Sequence, residues 1–260
     1  MSRHERASLP LLTARFSLIA MLLLNIGVAR AQTSATAENP YYARKNTFSL
    51  FSAYSGDSSH MILGIAENRM LLEFGAGYSR RLLHNRIVNW QYNGEILPVA
   101  LESDPNSHVV QVQTSPTSAI YTYDTWPDIY CATVTTPYSQ TIDKVTYSGT
   151  YTDSCHGRQW TIGEAISPVG FQWNFMPRHK LQPFFIGHGG YMYSTQPIPI
   201  STAGSFNFTF DFGAGLELYR SKTRSVRAEY RIHHISNHWT AHDNPGIDNG
   251  LFQLTYSFGH

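Results

Sequence analysis

Near the C-terminal end stand a histidine, a serine and an acid, His234, Ser236 and Asp248, whose types and spacing suit nucleophilic catalysis. Val226, Ala228, Tyr230 and Ile232 share one parity, with Arg227, Glu229, Arg231 and His233 on the other. That is the two-residue period of a strand. Continuing the parity puts His234 and Ser236 together on the apolar face, where an imidazole can reach a hydroxyl and take its proton. The third member must be an acid. After a polar turn from Asn237 to Ile247 containing Asn244-Pro245-Gly246, Phe252, Leu254, Tyr256 and Phe258 alternate with Gln253, Thr255 and Ser257. Asp248 shares the apolar parity. An antiparallel hairpin of the two strands would bring its carboxylate beside His234, to hold the ring in the productive tautomer.

The same stretch offers His233, His234, His238 and His242 as metal ligands. Their i, i+4 spacings matter on a helix, whereas the pattern here is strand and then loop, and no cysteine or nearby glutamate completes a set. We therefore expect neither metal nor cofactor. His233 is expected to face the opposite way from His234, as a hydrogen-bonded structural histidine.

The elements that position these residues are strands. About eight candidates follow Asn46, and several alternate cleanly: Met70, Leu72 and Phe74 against Leu71, Glu73 and Gly75; Val88, Trp90 and Tyr92 against Asn89, Gln91 and Asn93; Val169, Phe171, Trp173 and Phe175 against Gly170, Gln172 and Asn174. The run from Phe206 to Leu218 is long enough to cross a bilayer when tilted, since about 9 to 11 residues suffice. Phe48 to Ala66 is weaker, broken by Ser55-Gly-Asp-Ser-Ser59, and Gly187, Gly189 and Gly190 suggest a bend or bulge in the run from Leu181 to Thr195. Glu73, Glu95, Asp211, Glu217, Glu229, Arg227 and Arg231 all fall on the polar parity, acids and arginines on different strands. The expected fold is thus all-β, an eight-stranded antiparallel barrel with a lipid-facing apolar exterior around a polar interior. The competing arrangement is a soluble lipocalin-like barrel turned inside out.

Residues 1–31 have the features of a secretory signal peptide, with Arg3, Arg6 and Arg15 before a short apolar run and Ala29-Arg-Ala31 at the cleavage point. Its removal takes Arg3, Arg6, Arg15, Arg30 and Glu5 from 19 basic and 18 acidic residues, leaving residues 32–260 near neutral. A nucleic-acid partner, which needs a basic patch, is not indicated. Between about Glu102 and Trp160 the pattern dissolves into Ser, Thr, Pro, Asp and Tyr, which we read as one long extracellular loop. It holds both cysteines, Cys131 and Cys155. In an exported chain a pair at this spacing is expected to form a disulfide, stabilising the loop by about 3 kcal/mol.

His234-Ile-Ser236-Asn237, then Asn244-Pro-Gly246-Ile-Asp248 and an aromatic closing strand, resembles the lipid A 3-O-deacylases, barrel esterases of the outer membrane. The match is tight over residues 226 to 258 and looser before them. The resemblance implies a Ser236 nucleophile, a His234 base, Asp248 as the acid, and hydrolysis of the ester of the 3-linked hydroxyacyl chain of lipid A through an acyl-enzyme. The family's acid is usually Glu, and His238 and Trp239 stand where small residues are expected. The side-chain amide of Asn237, with neighbouring backbone N–H groups, is the candidate oxyanion site. The partners implied are lipopolysaccharide and the lipids of the bacterial outer membrane; a homodimer is compatible with the pattern. Tyr121, Tyr123, Trp126, Tyr130, Tyr138 and Tyr147 would meet lipopolysaccharide sugars or simply pack the loop. The rival from another class is a non-catalytic eight-stranded outer-membrane barrel, structural or adhesive, which would be indifferent to Ser236.

Overall fold

The computed structural model describes residues 41–126, 129–130 and 132–260. The expected signal segment, 1–31, and Cys131 lie outside the described residues. Among the described residues ten strands form, all paired antiparallel: β1 (Asn46–Ser55), β2 (Met70–His84), β3 (Val88–Ser115), β4 (Ala119–Thr125), β5 (Val134–Ile142), β6 (Val145–Phe175), β7 (Leu181–Ser194), β8 (Phe206–Tyr219), β9 (Arg224–Ser236) and β10 (Ile247–Gly259). Eight of them close a ring in the order β1-β2-β3-β6-β7-β8-β9-β10, sealed by the β1–β10 and β3–β6 pairings. Closure leaves the ring no free edge.

Parity decides which side each residue takes, and the ring is apolar outside. Phe48, Leu50, Phe74, Ile96, Val169, Phe208, Leu216, Tyr230, Leu254 and Phe258 are exposed, while Glu73, Glu95, Asp211, Glu217, Arg227, Glu229 and Arg231 are buried in the lumen. The acids and arginines of different strands do pair. Arg231 of β9 grips Glu95 of β3 with two bonds of 2.9 Å, and also reaches Glu229 at 3.0 Å and Asp211 at 3.4 Å. His188 of β7 joins the group through Asp211 at 3.0 Å and Asn93 at 3.1 Å. At the end bearing the short turns, Arg44 from the lead-in segment enters the lumen and binds Glu217 and Ser225, each at 2.6 Å.

Two expectations are corrected. Residues 102–160 are not an irregular loop. β3 and β6 run on past the ring and stay paired from Val88 opposite Phe175 to Ser115 opposite Ser148, with β4 added outside β3 and β5 outside β6. The stretch is rich in Thr, Val and Tyr, which favour strands. Asp143 and Lys144, with φ of 49° and 67°, make the two-residue left-handed turn that suits a tight hairpin between β5 and β6. The bulge expected at Gly187–Gly190 lies instead across from it, in β6, where register shifts between Ile166 and Val169. Gly190 accommodates that bulge: a Cβ there would sit 2.1 Å from the Ile166 carbonyl oxygen.

Arg231→Leu removes the common partner of three lumen carboxylates and is expected to destabilise the barrel by about 3 to 5 kcal/mol. Guanidinium unfolding in detergent micelles, followed by the gel migration of the folded barrel, measures the loss; an unchanged midpoint would show that the lumen charges are compensated another way.

Candidate active site

Strand pairing brings the hairpin's polar residues together. Asp248, the second residue of β10, lies directly opposite His234 near the end of β9, and His234 Nδ1 meets Asp248 Oδ1 at 2.5 Å. Both side chains follow the outward parity, yet Asp248 is fully buried and His234 nearly so. The cover is the β1–β2 loop, residues 56–69, which curls against the start of β10. Ser59 N–H donates to the Asp248 carbonyl at 3.1 Å, Ile65 N–H to the Pro245 carbonyl at 2.9 Å and Ala66 N–H to the Gly246 carbonyl at 3.1 Å. Ser58 bridges Asn249, and Ala66 bridges Ile247.

This loop supplies what a buried carboxylate requires. The consecutive backbone N–H groups of Ile62, Leu63 and Gly64 converge on Asp248 Oδ2 at 2.5, 2.9 and 2.9 Å. Such a nest of N–H dipoles stabilises an anion. With one oxygen held by the nest, the other faces the imidazole; an ionised carboxylate only accepts, so Nδ1 is the protonated nitrogen and Nε2 keeps its lone pair. Two glycines make the packing feasible. A Cβ on Gly64 would lie 2.5 Å from the Asp248 backbone nitrogen. Gly246, at a φ of 63°, would bring a Cβ to 3.1 Å from His234 Cε1. On the other side the Phe210 ring stands 4.9 Å from the imidazole, tilted by 36°.

Ser236 lies on the same face, half-buried and opposite Phe208 of β8. Among the described residues no hydrogen bond joins its hydroxyl to the His234 ring. In unliganded sites such contacts are often long and tighten when substrate arrives. The structure therefore assembles imidazole and carboxylate and sets the hydroxyl one strand repeat away.

Asn237 is the hub of the β9–β10 turn. Its backbone N–H donates to Asn244 Oδ1 at 3.0 Å, its Nδ2 to the Asp243 carbonyl at 2.6 Å, and its Oδ1 accepts the Trp239 N–H at 2.9 Å. The carboxamide expected to serve an oxyanion is thus committed to a turn in which His238 and Trp239 take φ of 52° and 61°. The four histidines have separate surroundings. His233 is buried on the lumen parity, His234 is bound to Asp248, His238 has its ring 6.1 Å from Phe208, and His242 is exposed beside Asp243 at 3.0 Å.

The residues that sequence reasoning missed are those of the β1–β2 loop. Backbone N–H donors carry no side-chain signature, and the available clue was the apolar run Met61-Ile-Leu-Gly-Ile65 after a polar break. Met61, Ile62, Leu63 and Ile65 are exposed beside the buried pair, and Trp239 of the neighbouring turn is exposed by 71%. Apolar surface is thus exposed on both segments that adjoin the pair, the β1–β2 loop and the β9–β10 turn.

A family model described as "Lipid A 3-O-deacylase (PagL)" matches residues 121–257, more than half of the chain. Among solved structures, the outer membrane enzyme PagL is similar at 12% identity, with 82% of this chain and 99% of that chain covered and a TM-score of 0.46. Neisserial surface protein A is similar at 10% identity, with 83% and 97% covered and a TM-score of 0.39. No curated protein matches.

Gly64→Ala is expected to push the 62–64 nest off Asp248 and to slow the reaction of Ser236 with a fluorophosphonate by about tenfold or more, equivalent to about 1.4 kcal/mol. Labelling rates on the folded variant test this, and an unaltered rate would separate the nest from the reactivity of the serine.

Proposed function

The chain belongs to the lipid A 3-O-deacylase family, and from that premise we propose that it hydrolyses the ester of the 3-linked hydroxyacyl chain of lipid A in the bacterial outer membrane. The observation that carries the reading is the 2.5 Å contact between His234 and Asp248, whose second oxygen is capped by three backbone N–H groups. A buried imidazole–carboxylate pair on the apolar outer face of a barrel is costly to maintain, and polar groups at such a place are functional candidates by default. The apolar exterior supports residence in a membrane, and the longer loops at the site's end of the barrel correspond to the usual extracellular side.

His234 Nε2 takes the proton of the Ser236 hydroxyl as its oxygen attacks the ester carbonyl. Asp248 holds the ring and stabilises the imidazolium that forms. The tetrahedral oxyanion needs N–H donors that the turn leaves open, since those of Asn237, Trp239 and Thr240 are bonded within it. On collapse the bond to the sugar oxygen breaks and the imidazolium gives that oxygen its proton, so the sugar leaves as an alcohol and the fatty acid remains as an ester on Ser236. Water, deprotonated by the same imidazole, then releases the acid. The exposed side chains of Met61, Ile62, Leu63 and Trp239 suit a substrate that stays in its leaflet and presents its ester from the side. Asp248, a methylene shorter than glutamate, still reaches the ring because strand pairing sets it directly opposite.

We also assign a disulfide to Cys131 and Cys155. Cys155 sits in the part of β6 that runs beyond the ring, opposite Ser107. The bond would tie the β4–β5 connection to that strand.

Mass spectrometry of lipid A from cells expressing the chain should reveal loss of one hydroxyacyl group. Ser236→Ala and His234→Ala should abolish it, and Asp248→Asn should lower the rate by about 10⁴-fold, as expected when the imidazole loses its orienting carboxylate. Identical acyl composition with wild type and Ser236→Ala would defeat the reading and favour a non-catalytic barrel. Peptide mapping without reductant should recover Cys131 and Cys155 in one linked species, and two free thiols there would remove the disulfide.

A further inference from the structure

The strand extensions beyond the ring form a four-stranded sheet, β4-β3-β6-β5, that the proposed reaction does not use. Its cross-strand rows bring side chains to a common face. One row reads Tyr123, Val109, Asp153, Val134, and the row two residues along reads Tyr121, Gln111, Tyr151, Thr136. A cavity of about 520 Å³ lies against this face, bordered by Tyr123, Tyr151, Asp153, Thr136 and Ser107 and, from the β4–β5 connection, by Tyr130.

The wall carries one acid among its described residues, Asp153. Asp153 Oδ1 is buried and has no hydrogen-bond partner among the described residues. That oxygen is sealed from the cavity space, so what Asp153 offers a ligand is the accessible side of its carboxyl group. Among the described residues the lining contains no lysine or arginine, which argues against an anionic ligand. A lone carboxylate provides too few oxygens to hold a hard cation, which takes six or more. Tyrosine faces, hydroxyls and one carboxyl group fit a neutral sugar, whose C–H face packs on aromatic rings while its hydroxyls donate.

The cavity is joined to the site through a single loop. Tyr130 has its ring 6.2 Å from that of His60, and the neighbouring Ile129 carbonyl accepts the Glu67 N–H at 3.0 Å and Arg69 Nη1 at 3.2 Å. Residues 62–64 of the same loop cap Asp248. A ligand spanning both places would follow the β1–β2 loop.

We propose that this cavity binds a neutral sugar ring of the glycan attached to lipid A. The proposal rests on the reading of the chain as a lipid A deacylase and extends it from the acyl ester to the carbohydrate part of the same substrate.

The test is isothermal titration of the refolded protein with the acyl-free oligosaccharide that mild acid releases from lipopolysaccharide. Saturable binding is expected with wild type and with Ser236→Ala, weakened about tenfold by Tyr130→Ala and by Asp153→Asn, as expected for one lost stacking or charge-assisted contact. In the same two variants the ratio of kcat/KM for lipopolysaccharide to that for glycan-free lipid A should fall about tenfold, a selectivity change that general damage to the fold would not give. Absence of oligosaccharide binding by wild type overturns the proposal even if the protein deacylates lipid A, and so does equal binding by wild type and both folded variants. Binding without any deacylation would sink the esterase reading while leaving the sugar site standing. If neither variant migrates as a folded barrel, the wild-type titration alone decides.

Discussion

A carboxylate buried on the apolar side of a barrel wall must have its charge compensated on the spot, and the long-loop end of this molecule is arranged around meeting that demand for Asp248. An uncompensated charge there would cost several kcal/mol. Four donors meet it: the imidazole of His234 and three backbone N–H groups from residues 62–64. Those N–H groups are distant in sequence and belong to a loop, so the loop itself has to be fixed. Asn249, next to Asp248 but facing the other way, does part of this through Nδ2, which bonds Ser55 Oγ and the carbonyls of Asp57 and Arg69, all at 3.1 Å. Arg69, fully buried, does the rest. It binds Asp104 at 2.9 Å and the carbonyls of Ile129 and Pro199, each at 3.2 Å, so that the β1–β2 loop, the β4–β5 connection and the β7–β8 loop share one guanidinium.

What the sequence disclosed follows from the same physics. Period-two alternation marks a strand only when its two faces meet different surroundings, and the ring supplies them: apolar exterior, charged lumen. Hence Phe206–Leu218 and Val226–His234 were legible residue by residue, and so was the pairing of His234 with Asp248 across a hairpin. Residues 102–160 were not, because the strands beyond the ring carry polar and aromatic residues on both faces and much of that sheet is exposed. The chain there is as extended as in the ring, but nothing alternates. Asn237 illustrates another limit. Its type suits an oxyanion site, yet its amide hydrogen bonds close the turn, and a residue's type does not disclose which of two available partners it takes. The nest on Asp248 was illegible for a third reason, since any residue offers an N–H; only Gly64, where a side chain would strike backbone, bears a trace of it.

The lumen network bears on the site although none of its charges touches it. Arg231 and His234 are three residues apart on β9 and therefore point to opposite sides of the wall. Sliding β9 by one residue against its neighbours would carry Arg231 to the apolar exterior and turn His234 into the lumen. The cost of the first move forbids the second: Arg231 would forfeit Glu95, Asp211 and Glu229 together and leave three buried acids without their cation. Few apolar residues can enforce register this strictly, because one aliphatic side chain facing lipid is much like the next. The ion cluster inside the barrel thus selects the single register in which His234, Ser236 and Asp248 all face outward, and it does so without contributing an atom to the chemistry.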